Sequence, residues 1–335
     1  MKSSWLRVSL IVLTVLIIIY YLGPRPAIPR YDPLLPDVPN QPVALMDYVA
    51  EKENKHRLKP DNEARIVWND SIPRKTAYSV VYLHGFSASQ EEGDPVHRDF
   101  AKRYGCNLYL SRLDGHGIDT TEPLLGMTAT GLWNDAKEAL SIGMKLGDKV
   151  ILIGTSTGST LALKLAATYP NNVFAVINMS PNIAINNDLA FLANNPWGLQ
   201  LSQLIRHGKY NESATINSTT GRYWYDKYRL EGVVELENLL ETTMVPSIFR
   251  KIKQPVLNLY YYKDENHQDP VVKVSAILEM EEELGTPDSM KTAISIPGAG
   301  VHVIGCSLVS HDIPAVQAAI YSFAETKLKL KVQQQ

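Results

Sequence analysis

Lys149-Val150-Ile151-Leu152-Ile153-Gly154-Thr155-Ser156-Thr157-Gly158-Ser159 decides how this chain folds. Its first five residues, Lys149 to Ile153, are rich enough in β-branched side chains to predict a buried strand. Leu161-Ala162-Leu163-Lys164-Leu165-Ala166-Ala167 follows with helical composition. Between them sits Gly-x-Ser-x-Gly, centred on Ser156. Strand, tight turn and helix are the context in which such a serine stands at a sheet edge in a strained backbone conformation. Gly154 and Gly158 supply the room. The helix begins beside the serine, so its free N–H groups face any negative charge that develops there. The competing interpretation is a plain Gly/Ser/Thr turn between a core strand and a helix. Partners elsewhere in the chain have to decide.

Working outward, strands and helices alternate. Strands are predicted at Ala64–Trp68, Tyr78–Leu83, Asn107–Ser111, Val173–Asn178, Val256–Tyr261 and Thr292–Ile296. Helices are predicted from Asp94-Pro95 to near Gly105, with aspartate as N-cap, and over Thr128–Leu146, Val274–Leu284 and Ile313 to about Leu330. A further short helix is predicted over Met46–Lys55. This alternation predicts an α/β fold whose mainly parallel sheet is covered on both faces. It is interrupted between Pro181 and Lys253, where helical pieces (Gly198–Ile205, Val233–Leu240), Asn-rich turns and Tyr223-Trp224-Tyr225 occur without a clear strand. Some 70 residues do not fit one crossover. They predict a helical cap over the C-terminal edge of the sheet.

The 335 residues are 45% apolar and 20% charged, ordinary globular composition, with a formal net charge of −2. No basic run interleaved with aromatics appears, so nucleic-acid binding is set aside. The two cysteines, Cys106 and Cys306, show no metal-ligand spacing and are expected to be free thiols. From Trp5 to Leu22 a helix would rise about 27 Å, just short of a hydrocarbon core of about 30 Å. Val8–Leu22 is uncharged, and Trp5, Tyr20 and Tyr21 stand at the ends. An uncleaved N-terminal membrane anchor is favoured over a signal peptide, because no small-x-small cleavage site follows Leu22. Gly23–Pro42 carries seven prolines and is expected to be an extended linker. The expected organisation is anchor 1–23, linker 24–60, core 61–182, cap 183–252 and core 253–335, with the folded domain on the extracytoplasmic side. Sequons stand at Asn69, Asn211 and Asn217.

Three further loops bear on Ser156. His84-Gly85-Phe86 follows the Tyr78–Leu83 strand. Gly85 permits close backbone approach, and the N–H groups of Phe86 and Thr157 would form a two-donor oxyanion hole. His84 is expected to brace the loop. Arg112-Leu113-Asp114-Gly115-His116-Gly117 makes His116 a rival base, although it precedes Ser156. Ile296-Pro297-Gly298-Ala299-Gly300-Val301-His302 lies after the last strand, where an imidazole can swing over the serine. A serine hydroxyl needs such a base. The acid that orients the imidazole follows the Pro255–Tyr262 strand, where both Asp264 and Asp269 stand.

Leu83-His84-Gly85-Phe86, Arg112 to Gly117, Gly154 to Gly158, Asp269-Pro270-Val271-Val272 and Gly300-Val301-His302 occur in the order found in the α/β-hydrolase superfamily. From Ala64 onward the chain resembles its esterase and monoacylglycerol-lipase-like branch. The resemblance implies an eight-stranded sheet, a serine nucleophile (Ser156), a histidine base (His302), an acid after the penultimate strand, and neither cofactor nor metal. The family's acid-x-Val-Val pattern favours Asp269, while distance from the strand favours Asp264; Asp269 is chosen. The expected activity is hydrolysis of carboxylic esters, with acylglycerol or lysophospholipid-like lipids as candidate substrates. Thioester hydrolysis, or a non-catalytic membrane-anchored binding protein on the same scaffold, are the alternatives. Oligomeric state is left open.

Overall fold

The computed structural model describes residues 2–212 and 219–333, with side chains from Trp5 onward. In chain order the elements are α1 (Lys2–Tyr21), α2 (Pro42–Glu53), β1 (Arg65–Val67), β2 (Thr76–Leu83), α3 (Val96–Tyr104), β3 (Asn107–Leu110), α4 (Ala129–Leu146), β4 (Gly147–Thr155), α5 (Thr157–Thr168) and β5 (Val173–Met179). Then come α6 (Gly198–Ile205), β6 (Tyr210–Glu212), β7 (Lys227–Arg229), α7 (Leu230–Thr243), α8 (Pro246–Phe249), β8 (Val256–Tyr260), β9 (Tyr262–Asp264), β10 (His267–Gln268), α9 (Val274–Glu283), β11 (Lys291–Ser295) and α10 (Ile313–Thr326).

The central sheet has seven strands among the described residues, in the order β1-β3-β2-β4-β5-β8-β11. All pairings are parallel except that of β1 with β3. β4 lies at the centre, and its residues Val150 to Ile153 are at most 1% exposed. That burial on both faces is why its sequence is a continuous apolar run. One face packs α4, α5 and α9 through residues such as Trp133, Leu161 and Ile277. The other packs α3 and α10 through Phe100 and Ile320. The resemblance implied eight strands. Only the three-residue β1 precedes β2, and the chain upstream of it forms α2 instead of another edge strand.

The N-terminal anchor expected from the sequence, and with it the membrane partner and single-pass location, is not supported. Among the described residues no helix is long and apolar enough to cross a membrane. α1 extends from Lys2 to Tyr21, but its uncharged run starts only at Val8. From there to Tyr21 the helix rises about 21 Å, well short of a hydrocarbon core of about 30 Å.

The proline-rich segment is extended, as its composition predicts, but it is not a spacer. It lies as a strap across the core, and its free carbonyls are taken by buried donors. Trp133 Nε1 donates to Asp32 O (3.0 Å), Tyr169 Oη to Pro33 O (2.9 Å) and Lys137 Nζ to Leu34 O (3.0 Å). Asn238 of α7 donates to Ala27 O at 2.9 Å, so the strap also ties the cap to the core. Lys164 sits 3.8 Å from the Tyr31 ring centroid and 4.9 Å from that of Trp133. Burial lowers its ammonium pKa to about 8.

The excursion between β5 and β8 is not wholly helical. β6 and β7 form an antiparallel ribbon within it. Tyr225 fastens the cap to the core loops. Its N–H donates to Ser87 O at 2.8 Å, and its hydroxyl donates to Ile118 O at 2.7 Å. Of the sequons, Asn217 lies outside the described residues.

Candidate active site

β4 ends at Thr155 and α5 begins at Thr157, leaving Ser156 alone in the turn at φ 51°, ψ −117°. A non-glycine residue holds such a conformation only when its surroundings impose it. Here they do. A Cβ on Gly154 would come within 2.5 Å of the Ser159 nitrogen, and one on Gly158 would strike the Leu83 carbonyl. Ser159 Oγ closes the turn on Gly154 O at 2.7 Å. The Ser156 side chain faces a cavity of about 900 Å³ lined also by Phe86, Glu92, Asn182, Trp224 and His302.

His302 enters this cavity from the loop after β11. Gly300, at φ 71°, makes the turn that L side chains disfavour. The His302 carbonyl is held by the Ser180 hydroxyl at 2.6 Å and the Ile304 N–H at 3.0 Å. Nδ1 of His302 lies 2.7 Å from Asp269 Oδ2. Asp269 is fully buried, and its other oxygen accepts the N–H groups of Val271 (2.8 Å) and Val272 (3.0 Å). Burial alone would raise this carboxyl's pKa. The His302 charge and hydrogen bond, with the two backbone donors, bring it below the ordinary value. Burial likewise opposes charge on His302. The charge and hydrogen bond of Asp269, with the charge of Glu92, outweigh it and raise the imidazole's pKa. Among the described residues no hydrogen bond joins Ser156 Oγ to His302, a looseness common before substrate binds.

Asp264 stands elsewhere. It ends β9, and its carboxylate bonds His267 Nδ1 at 2.7 Å and the Asn266 N–H at 3.0 Å, all within its own exposed hairpin. The hairpin β9–β10 is what separates the two aspartates: it carries the chain outward from β8 and returns it to the sheet edge at Asp269.

The other histidines near the site are braces. His84 Nε2 accepts the Leu113 N–H at 3.1 Å, and its Nδ1 donates to Gly85 O at 2.9 Å. His116 Nε2 accepts the Ser87 N–H at 3.0 Å, and its Nδ1 donates to Asp114 O at 2.7 Å. Burial drives the pKa of His116 down to about 4 and that of His84 well below its ordinary value. Both rings are neutral and fully engaged, so neither is available as a base.

Glu92 is the residue at this site that sequence reasoning missed. It is 2% exposed and accepts the Gly85 N–H, and a Cβ on Gly85 would stand 2.8 Å from both its oxygens. Burial pushes its pKa up to about 7 against the Gly85 N–H, His302 and the Trp224 side chain, which all favour the ionised form. No sequence signal marked it, because Glu91-Glu92 reads as an ordinary acidic pair before a helix. Its effect is on the loop. Gly85 N–H is taken by Glu92 and Ser87 N–H by His116, which leaves Phe86 N–H between them without an acceptor among the described residues. Thr157 opens α5, so its N–H also has no partner within the helix. Glu92→Leu is expected to lower kcat on the order of 10- to 100-fold by freeing this loop, part of what a lost oxyanion donor costs. Glu92→Gln keeps an acceptor for Gly85 and should lose far less. Steady-state kinetics on folded variants checks the difference.

Cys106 and Cys306 are free and buried. Among the described residues no group of three or more His, Cys, Asp or Glu side chains is arranged to hold a metal ion.

Residues 74–228 match the family described as serine aminopeptidase, S33. No protein of curated function matches the chain by sequence. Among solved structures it is similar to one described under LipS and LipT, two metagenome-derived lipolytic enzymes, at TM-score 0.64 and 18% identity, covering 80% of this chain and 98% of that one. It is similar to the Paleococcus ferrophilus monoacylglycerol lipase at TM-score 0.57 and 15% identity, covering 78% and 96%. Similarity to Est1E from Butyrivibrio proteoclasticus with ferulic acid bound gives TM-score 0.55 and 16% identity, covering 80% and 95%.

Proposed function

We propose that this chain, which has the α/β-hydrolase fold, is a serine hydrolase cleaving carboxylic esters through Ser156, His302 and Asp269. The observation that carries this is a serine at positive φ opening into the same cavity as an imidazole bonded to a fully buried aspartate. Ser156 Oγ attacks the ester carbonyl while His302 Nε2 takes its proton. Asp269 keeps the proton of Nδ1 in place and stabilises the imidazolium. The N–H groups of Phe86 and Thr157 receive the negative charge on the carbonyl oxygen. His302 then returns the proton to the leaving alcohol, and water, activated by the same imidazole, releases the acid. The lipolytic and esterase activities named for the similar structures, and apolar cavity residues such as Leu192, Leu230 and Leu236, support an ester with an apolar chain as substrate. Turnover of p-nitrophenyl esters of graded chain length tests this. A wild-type protein inert toward all of them would contradict it.

A pH dependence follows from the charges around His302. The base acts only when neutral, and Asp269 and Glu92 both raise its pKa above the ordinary 6.5. Activity is therefore expected to rise with pH through a midpoint above 6.5. Glu92→Gln removes one of the two charges and should move that midpoint to lower pH. A kcat/KM profile for both proteins checks the sign, and a wild-type midpoint below 6.5 would contradict it.

A further inference from the structure

The cavity wall contains two buried polar atoms with no hydrogen-bond partner among the described residues. Glu237 lies on α7, is 4% exposed and lines the cavity, and its Oε2 has no hydrogen-bond partner among the described residues. Asn182 lies on the loop after β5, is 3% exposed and lines the same cavity, and its Oδ1 is also without a partner. Asn182 is next to the reacting centre, since its N–H donates to the Ser156 carbonyl at 3.2 Å. Buried polar groups are almost always paired, and leaving one unpaired costs stability. Apolar side chains, among them Ile185, Val233, Leu236 and Val271, line the same cavity. Lys273, the cation whose charge acts on Glu237, is itself 2.7 Å from Asp188. Burial and the neighbouring Glu241 push the Glu237 carboxyl up to about 7, against the pull of Lys273. It can therefore stand in the wall without a cation, at the expense of stability. Two unsatisfied acceptors in a largely apolar cavity are what a pocket needs to orient a ligand that brings its own donor.

We propose that Glu237 forms a subsite for a hydrogen-bond donor on the substrate, a hydroxyl or a protonated amine set apart from the scissile carbonyl by an apolar chain. The word substrate rests on the ester-hydrolase function above; the subsite itself does not. A site built to pair with a donor discriminates strongly against the analogue that lacks it, because its own polar groups are then left bare.

The test uses the full chain carrying Ser156→Ala, with and without Glu237→Leu, and three probes measured by calorimetry: 1,10-dimethoxydecane, which has no donor, 1,10-decanediol and 10-amino-1-decanol. The diol, the amino alcohol or both should bind at least about tenfold tighter than 1,10-dimethoxydecane, and Glu237→Leu should abolish the preference. A tighter amino alcohol identifies a protonated amine as the group recognised, and a tighter diol a hydroxyl. The leucine variant should melt no lower than its parent, since it removes an unpaired buried carboxyl. Equal binding of all three probes, a preference that survives Glu237→Leu, or no binding of either donor-bearing probe would overturn the subsite. Hydrolysis of p-nitrophenyl decanoate by the wild type is measured in parallel and reports on the ester-hydrolase function alone, so the two can fail separately.

Discussion

Ser156→Ala is expected to abolish ester hydrolysis, with a loss on the order of 10⁶ in kcat where chemistry limits the rate. The hydroxyl is the only group removed. Ser156 Oγ bears no structural hydrogen bond among the described residues, and the strained turn is imposed by Gly154, Gly158 and the Ser159–Gly154 bond. The backbone therefore has no reason to move, and the variant should melt close to the parent. The oxyanion donors and the cavity survive, so a residual rate above that of water is expected. Turnover of a p-nitrophenyl ester within tenfold of wild type would remove Ser156 from the chemistry.

Asp269→Asn is expected to lower kcat by about 10⁴, the loss seen in serine proteases when the orienting carboxylate becomes an amide and the imidazole adopts the wrong tautomer. Asp269 is fully buried and accepts at both oxygens, from His302 on one and from Val271 and Val272 on the other. Asparagine can satisfy the two backbone N–H groups through its oxygen, but it then turns an NH₂ toward His302 Nδ1. That reverses the hydrogen bond and directs the ring proton to Nε2, where a base needs a lone pair. Asp264→Asn should stay near wild type, because that carboxylate is solvated and bonded only within its own hairpin. Both variants are compared at matched folded fraction, since an ill-paired buried amide also loosens the loop. A crippled Asp264→Asn beside an active Asp269→Asn would exchange their roles.

The parts of this molecule that the sequence disclosed are those fixed by local chemistry. The strand–turn–helix around Ser156 was legible because β-branched residues, two glycines and a helical run leave few other conformations. Thr128 and Asp312 cap α4 and α10 through side-chain bonds to Gly131 N and Ala315 N, and α4 was read to within a residue at each end. α10 stops at Thr326, earlier than its composition suggested, where the chain turns back and reaches positive φ at Lys329. Two features were not legible. The ribbon β6–β7 consists of three-residue strands, too short for a period of two to register. The strap over α4, α5 and α7 was read as a linker because polyproline-like chain carries no internal signal of what it docks against. Its free carbonyls meet Trp133, Lys137 and Tyr169 only in the folded state. Sequence distance does not tell which aspartate meets His302, because the β9–β10 hairpin intervenes, whereas the Val271-Val272 backbone donors that follow Asp269 are part of how its carboxylate is held.

Fluorophosphonate labelling followed by intact-mass and peptide analysis tests the central claim most directly, because the probe reports an activated serine without presuming any substrate. The wild-type chain should gain one adduct, located on Ser156. The adduct should be absent from Ser156→Ala and form far more slowly on Asp269→Asn. A folded wild-type protein that takes up no probe, or takes it up at a residue other than Ser156, would contradict the account.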